Sequence, residues 1–294
     1  MLVRILCLVV FLIRVAFLTL LERKVLGLVG LRFGPNKVSI LGRLQALGDA
    51  CKLINKQINI LSSFRFSFYY LRSCFILICA MYLWGTFLRD PSLLEIKLSL
   101  LAIILILSFN SLNSIIAGWR TFSKYSLIGR IRTVSQLISY ESILYLCLLF
   151  FCYLLRSFCL RELLFLPPSF LGIFLPIVFF LWIPRILAEL NRTPFDFSEG
   201  ERELVRGFNT EFGSRRFTLI FLAEYSNILF LSFLSAFIFL FSFRGMRIYL
   251  FLLGIIWIRS VCPRFRFDKL MNLAWKFLLP YLTIVFICYI LFFF

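Results

Sequence analysis

Between Phe217 and Phe243 the chain runs 27 residues with Glu224 as its one carboxylate and without a lysine or arginine. As a helix that stretch is about 40 Å long at 1.5 Å per residue, more than the roughly 30 Å of a bilayer's hydrocarbon core. In hydrocarbon every backbone N–H and C=O must be satisfied within the protein, and a continuous apolar run satisfies them as a helix. Further apolar segments are drawn at 1–21, 66–88, 93–117, 138–155, 166–187, 246–262 and 273–294. Apolar residues make up 62% of the chain and charged ones 16%, against roughly 45–50% and a quarter in soluble domains. The expectation is an all-α polytopic membrane protein of about eight transmembrane helices, with 1–294 as a single transmembrane helical domain. No small-residue cleavage site precedes Glu22-Arg23-Lys24, so the first segment reads as a retained helix rather than a signal peptide.

The charge is as informative as the hydropathy. Of 32 lysines and arginines, 23 fall in or beside the connectors between segments 1–2, 3–4, 5–6 and 7–8. The positive-inside rule then puts those connectors on the inner side and both termini on the outer side. The formal charge of +18 reads as topology and as attraction to anionic lipid, and not as a nucleic-acid footprint, because the charge flanks membrane spans. Histidine is absent, which removes His-ligated metals, His-held haem and His acid–base catalysis from this chain. The nine cysteines form no C-x-x-C pair and read as small apolar residues in the spans.

Against this basic background, six of the fourteen carboxylates (Glu189, Asp196, Glu199, Glu201, Glu203 and Glu211) crowd into 23 residues of the third inner connector. Arg185, Glu189 and Arg192 would share a helical face, until Pro194 disfavours helix at Thr193. Crowded carboxylates raise one another's pKa, which brings proton exchange toward neutral pH. Glu141 lies roughly 13 Å along a helix from Arg132 and Glu224 about as far from Arg216. Carboxylates at such depth face a bundle interior or a wet cavity and often belong to ion or proton paths; a static ion pair is the plainer reading. In the first connector, Leu44, Leu47, Cys51 and Ile54 recur at helical spacing with Asp49, Lys52 and Lys56 off that stripe. This predicts a short interfacial helix, which serves equally as a cover for the bundle end or as a guide for a lipid-like substrate. The fourth connector, Trp257 to Pro280, interleaves aromatic and basic residues.

These connectors carry a resemblance. Glu22-Arg23-Lys24, Arg32-Phe-Gly-Pro-Asn36, Leu44-Gln45 with Asp49-Ala50, Lys124-Tyr-Ser-Leu-Ile-Gly129, Gln136 with Ser139-Tyr140-Glu141, Ala188-Glu-Leu-Asn-Arg-Thr-Pro-Phe-Asp196 with Glu199-Gly-Glu-Arg-Glu-Leu-Val205, Ala223-Glu-Tyr225 and Trp257-Ile-Arg259 with Pro263-Arg-Phe-Arg266 and Asp268 stand in order. The chain resembles the subunit 1 family of proton-pumping NADH:quinone oxidoreductase, respiratory complex I. The resemblance implies a proton path through Glu22, Glu141, Glu189, Glu211 and Glu224. It implies a quinone chamber lined by Arg23, Asp49, Arg192, Asp196, Glu199, Glu201, Glu203, Arg259, Arg264, Arg266 and Asp268. Departures include Gln57 in place of a carboxylate, Ser39 in place of a glycine, and Arg130 in place of a small residue.

The same resemblance implies a mitochondrial inner-membrane subunit, with its termini on the intermembrane-space side, that forms the quinone-access chamber and couples quinone reduction to proton translocation. Ubiquinone would be its substrate, and no metal, flavin or iron–sulfur cluster would be bound by this chain itself. Its partners would be the hydrophilic quinone-module subunits, the neighbouring antiporter-like subunits and membrane lipid, with no nucleic acid. A secondary transporter would also place carboxylates in mid-membrane, but such proteins show internal repeats, and none is visible here. A purely structural anchor would leave Glu141 and Glu224 without a purpose.

Overall fold

The computed structural model describes residues 2–56, 63–88, 98–118, 124–159, 162, 174–196, 214–240 and 245–293. Among these, regular structure is helical throughout. In chain order the elements are α1 (Leu2–Val29), α2 (Gln45–Asn55), α3 (Ser63–Leu88), α4 (Ser99–Gly118) and α5 (Lys124–Leu155). They continue with α6 (Phe174–Glu189), α7 (Ser214–Leu240), α8 (Gly245–Val261) and α9 (Phe267–Asn272). A π-helical turn at Leu273–Leu278 carries α9 into α10 (Leu279–Phe293). Among the described residues, three stretches are long and apolar enough to cross a membrane: Leu127–Leu154, Arg216–Phe239 and Phe267–Leu291. Shorter apolar helical stretches run over Arg72–Trp84, Ser99–Phe109 and Ile248–Val261.

Several helices overrun the apolar segments that announce them. α1 continues through Glu22-Arg23-Lys24 to Val29, and α5 begins 14 residues before the expected 138. Hydropathy ends a span where charge begins, whereas the backbone stays helical as long as its polar side chains find partners or water. Arg130, which sits in this early part of α5, is almost wholly buried.

The core is assembled from α5, α6 and α7. Tyr140, Ile143, Leu144, Cys147, Leu148 and Phe151 of α5 are inaccessible, and they pack in one cluster with Trp182, Leu187 and Ala188 of α6 and Phe230, Leu231 and Leu234 of α7. Trp84 ties α3 to α1 and α7. Its ring lies 4.7 Å from that of Phe11 and 6.1 Å from that of Phe230, and its indole N–H donates to the carbonyl of Ser226 at 3.0 Å. Outward-facing Phe180, Leu105 and Leu250 stay more than half exposed, as lipid-facing residues do.

α2 forms where the spacing predicts it. Its stripe of Leu47, Cys51 and Ile54 is exposed while Ala46 is buried, so the apolar face points away from the bundle, as in a helix lying at a membrane interface. Just before α2, Ser39 has φ 57° and ψ −169°, at the edge of a region that is essentially glycine's alone.

Candidate functional site

The polar interior is built around Glu22. It lies three-quarters of the way along α1 and is 5% exposed. Its Oε1 accepts from Nη1 of Arg259, on the last turn of α8, and stands 3.7 Å from Nη1 of Arg192. Its Oε2 accepts a hydrogen bond of 2.5 Å from the Tyr225 hydroxyl on α7. The Arg192 guanidinium rests over the Tyr225 ring at 4.6 Å, with Nη2 3.9 Å from Oε2 of Glu224. One carboxylate thus joins α1, α7, α8 and the turn after α6. A buried charge is tolerable only when paired and hydrogen-bonded, and Glu22 is both.

The turn that delivers Arg192 is fixed from several directions. α6 ends at Glu189, and Asn191 takes a left-handed φ of 48°, a conformation that asparagine tolerates better than most residues. Arg192 therefore leaves the face that it would share with Arg185 and Glu189 on a continued helix. This corrects the expectation of a three-residue face: the reversal comes at Asn191, ahead of the Thr193–Pro194 boundary. The Gln136 side-chain amide, buried on α5, donates to the carbonyls of Ala188 at 2.9 Å and Phe195 at 3.1 Å. The backbone N–H of Phe265 donates to Pro194 O at 3.1 Å, Arg264 donates to the Asp196 carbonyl, and the ring of Phe195 lies between those of Tyr140 and Phe265 at 6.2 and 5.6 Å.

Arg185 and Glu189 keep the one-turn spacing and pair at 3.7 Å, both buried. Glu189 and Glu224 line a common cavity of about 110 Å³ together with Arg72, Arg130, Asn191 and Asn227. That volume is enough to admit water. Glu141 accepts a hydrogen bond from Tyr145, one turn further along α5.

The other expected site residues divide clearly. Arg23 pairs with Asp49 at 2.5 Å, tying α1 to α2, and Asp49 also accepts from Gln45 at 2.9 Å. Arg266 and Asp268 pair with each other at 3.0 Å and are mostly exposed; they do not join the Glu22 junction. Glu199, Glu201, Glu203 and Glu211 lie outside the described residues, as does Gln57. Tyr225, Gln136 and Arg185 emerge as site residues to which motif and spacing alone assign no task. The available signal for Arg185 was an arginine inside an apolar run, which is costly unless it serves a purpose.

Apolar helices packed around buried carboxylate–guanidinium pairs are the features of a membrane protein with a polar interior. A sequence model of the NADH dehydrogenase family matches residues 2–290. NADH-ubiquinone oxidoreductase chain 1 of Aedes aegypti is 43% identical over 272 residues, covering 90% of this chain and 87% of that one. The protein of that name from Artemia franciscana is 41% identical over 288 residues, covering 96% and 94%. That from Branchiostoma lanceolatum is 41% identical over 282 residues, covering 92% and 88%. The chain belongs to the NADH dehydrogenase family, and it is an oxidoreductase subunit of that family, in agreement with the resemblance carried by its connectors.

Proposed function

We propose that this chain is the membrane subunit of respiratory complex I that guides ubiquinone to its reduction site and begins the path by which the redox event moves protons. In this reading it crosses the mitochondrial inner membrane eight times as one domain, with both termini on the intermembrane-space side and the basic connectors facing the matrix. Electrons would come from a centre held by a hydrophilic partner subunit, and the antiporter-like subunits would take up the proton signal.

The observation that carries this reading is the position of Arg192. It stands 3.7 Å from Glu22 and 3.9 Å from Glu224, whereas a committed charge-assisted N–H···O contact is about 2.7–2.9 Å. At such separations two unit charges attract by about 4 kcal/mol in a medium of effective dielectric about 20. An anionic or newly protonated quinone species arriving beside the turn would change that balance. Glu224 in turn shares its cavity with Glu189, which gives the change a wet route toward Arg185 and Glu141. Asp49, Arg23, Arg264, Arg266, Asp268 and Asp196, with Glu199, Glu201 and Glu203, would form the approach and lining of the chamber, and Glu211 would extend the path.

The test is Glu189→Gln in the assembled complex. Proton translocation per electron is expected to fall while the complex still assembles. Full quinone reductase activity with full pumping would sink the assignment. Co-purification of the chain with flavin and iron–sulfur subunits tests its place in the complex.

A further inference from the structure

Arg185 is the most deeply buried cation near the acidic interior, with a side chain 1% exposed. Its guanidinium lies 5.3 Å from the centroid of the Trp182 ring, and that indole is held in turn by Ser235 of α7 at 3.4 Å. Its Nη2 stands 3.7 Å from Glu189. Its Nε and Nη1 are buried and take no hydrogen bond among the described residues. Glu141, Tyr145 and Cys147 of α5 lie within electrostatic range of it, and Glu141 acts on Glu189 as well. A buried guanidinium with this little hydrogen bonding is tolerable only through the anion beside it, and a nearby cation in turn favours the charged form of a buried carboxylate.

We propose that Arg185 is the internal counter-ion of Glu189, a positioning residue whose charge opposes the desolvation that burial imposes on that carboxylate. This rests on the reading of Glu189 as a proton-path group. The groups that face Glu189 are Arg72 from α3, Arg130, Glu141 and Tyr145 from α5, and Glu224 from α7. Arg185 is the cation that meets Glu189 from its own helix, and its fixed i, i+4 geometry does not depend on how the rest of the cavity is filled. The interior then has two arginine-centred groups: Arg185 with Glu189, and Arg192 with Glu22 and Glu224. Glu189 of the first group and Glu224 of the second line the same cavity.

The experiment is infrared titration of the protonated-carboxyl band in the purified, assembled complex, read alongside the pH profile of quinone reduction. Arg185→Gln is expected to add a protonated-carboxyl band at neutral pH, shifted upward in pH by about 1–3 units, the effect of losing a close opposite charge. The added band should vanish in Arg185→Gln/Glu189→Gln, and Arg185→Lys should restore the original titration. An Arg185→Gln complex whose band and pH profile match the unsubstituted complex overturns the proposal. Where Arg185→Gln fails to assemble, recovery of assembly in the Arg185→Gln/Glu189→Gln pair supports it, and equal failure of the pair overturns it. The band reports charge whether or not Glu189 carries protons in turnover. Unchanged pumping in Glu189→Gln alone would therefore refute the proton-path reading and leave the counter-ion result to stand separately.

Discussion

Tyr225 donates its hydroxyl to Glu22 across 203 residues of sequence while its ring supports the Arg192 guanidinium. One side chain thus serves a carboxylate with its edge and a cation with its face. The two contributions separate by substitution. Tyr225→Phe keeps the ring and loses a hydrogen bond to a charged group, worth about 1.5–3 kcal/mol. Tyr225→Leu also loses the cation–π contact, about 0.5–2 kcal/mol more. Thermal dissociation of the isolated complex should rank unsubstituted, Phe, Leu; equal midpoints for Phe and Leu would remove the ring from the account.

Arg259 and Glu22 should couple strongly. Removing one partner of a buried pair costs about 3–5 kcal/mol because the other charge is left behind, with Arg192 moving the value toward the lower end. Arg259→Met is therefore expected to lower assembly sharply, and Arg259→Met/Glu22→Gln to recover part of it. A double-mutant cycle in which the two losses simply add would contradict the junction.

Gln136→Leu leaves the carbonyls of Ala188 and Phe195 without their buried donor. An unsatisfied buried acceptor costs about 1–3 kcal/mol, so the turn that carries Arg192 should loosen. Hydrogen exchange of the backbone amides at 190–196 is expected to speed up, and unaltered exchange there would show that the turn holds itself.

Ser39 occupies a backbone conformation suited to glycine. Relief of about 1–3 kcal/mol of strain, reduced by the greater unfolded-state freedom of glycine and by the loss of the 3.4 Å contact from Leu44 N–H to the Ser39 hydroxyl, leaves a net gain of about 1 kcal/mol for Ser39→Gly. A higher thermal midpoint is the expected result.

The exposed Arg266–Asp268 pair is the contrasting case. Solvent screens it, and Arg266→Ala should change stability by no more than about 0.5 kcal/mol. A larger loss in the assembled complex would place a partner on that surface.

How far the sequence could be read depended on the range of the interaction. Apolar runs gave the helical class, because hydrocarbon permits little else, and four connectors carried the family resemblance residue by residue. The spacing of Leu44, Leu47, Cys51 and Ile54 gave α2 because a helix repeats within four residues. The partnership of Glu22 with Arg259 spans 237 residues, and no local pattern encodes it. Nor did spacing reveal that Asn191 would turn Arg192 off the helix, since the hydrogen bonds from Gln136 that hold that turn come from another helix. The burial of Arg130 and Arg185 ran against the usual habits of arginine, and only packing around them accounts for it.

The Glu22 junction also bears on how the chain is made. α1 is synthesised before α8 and carries its carboxylate to the membrane boundary well before Arg259 exists. At about 5–20 residues per second, the 237 residues between them take on the order of tens of seconds to appear. Through that interval α1 holds an acid without its principal cation. The junction therefore closes late in synthesis, when α8 brings Arg259 to the waiting carboxylate.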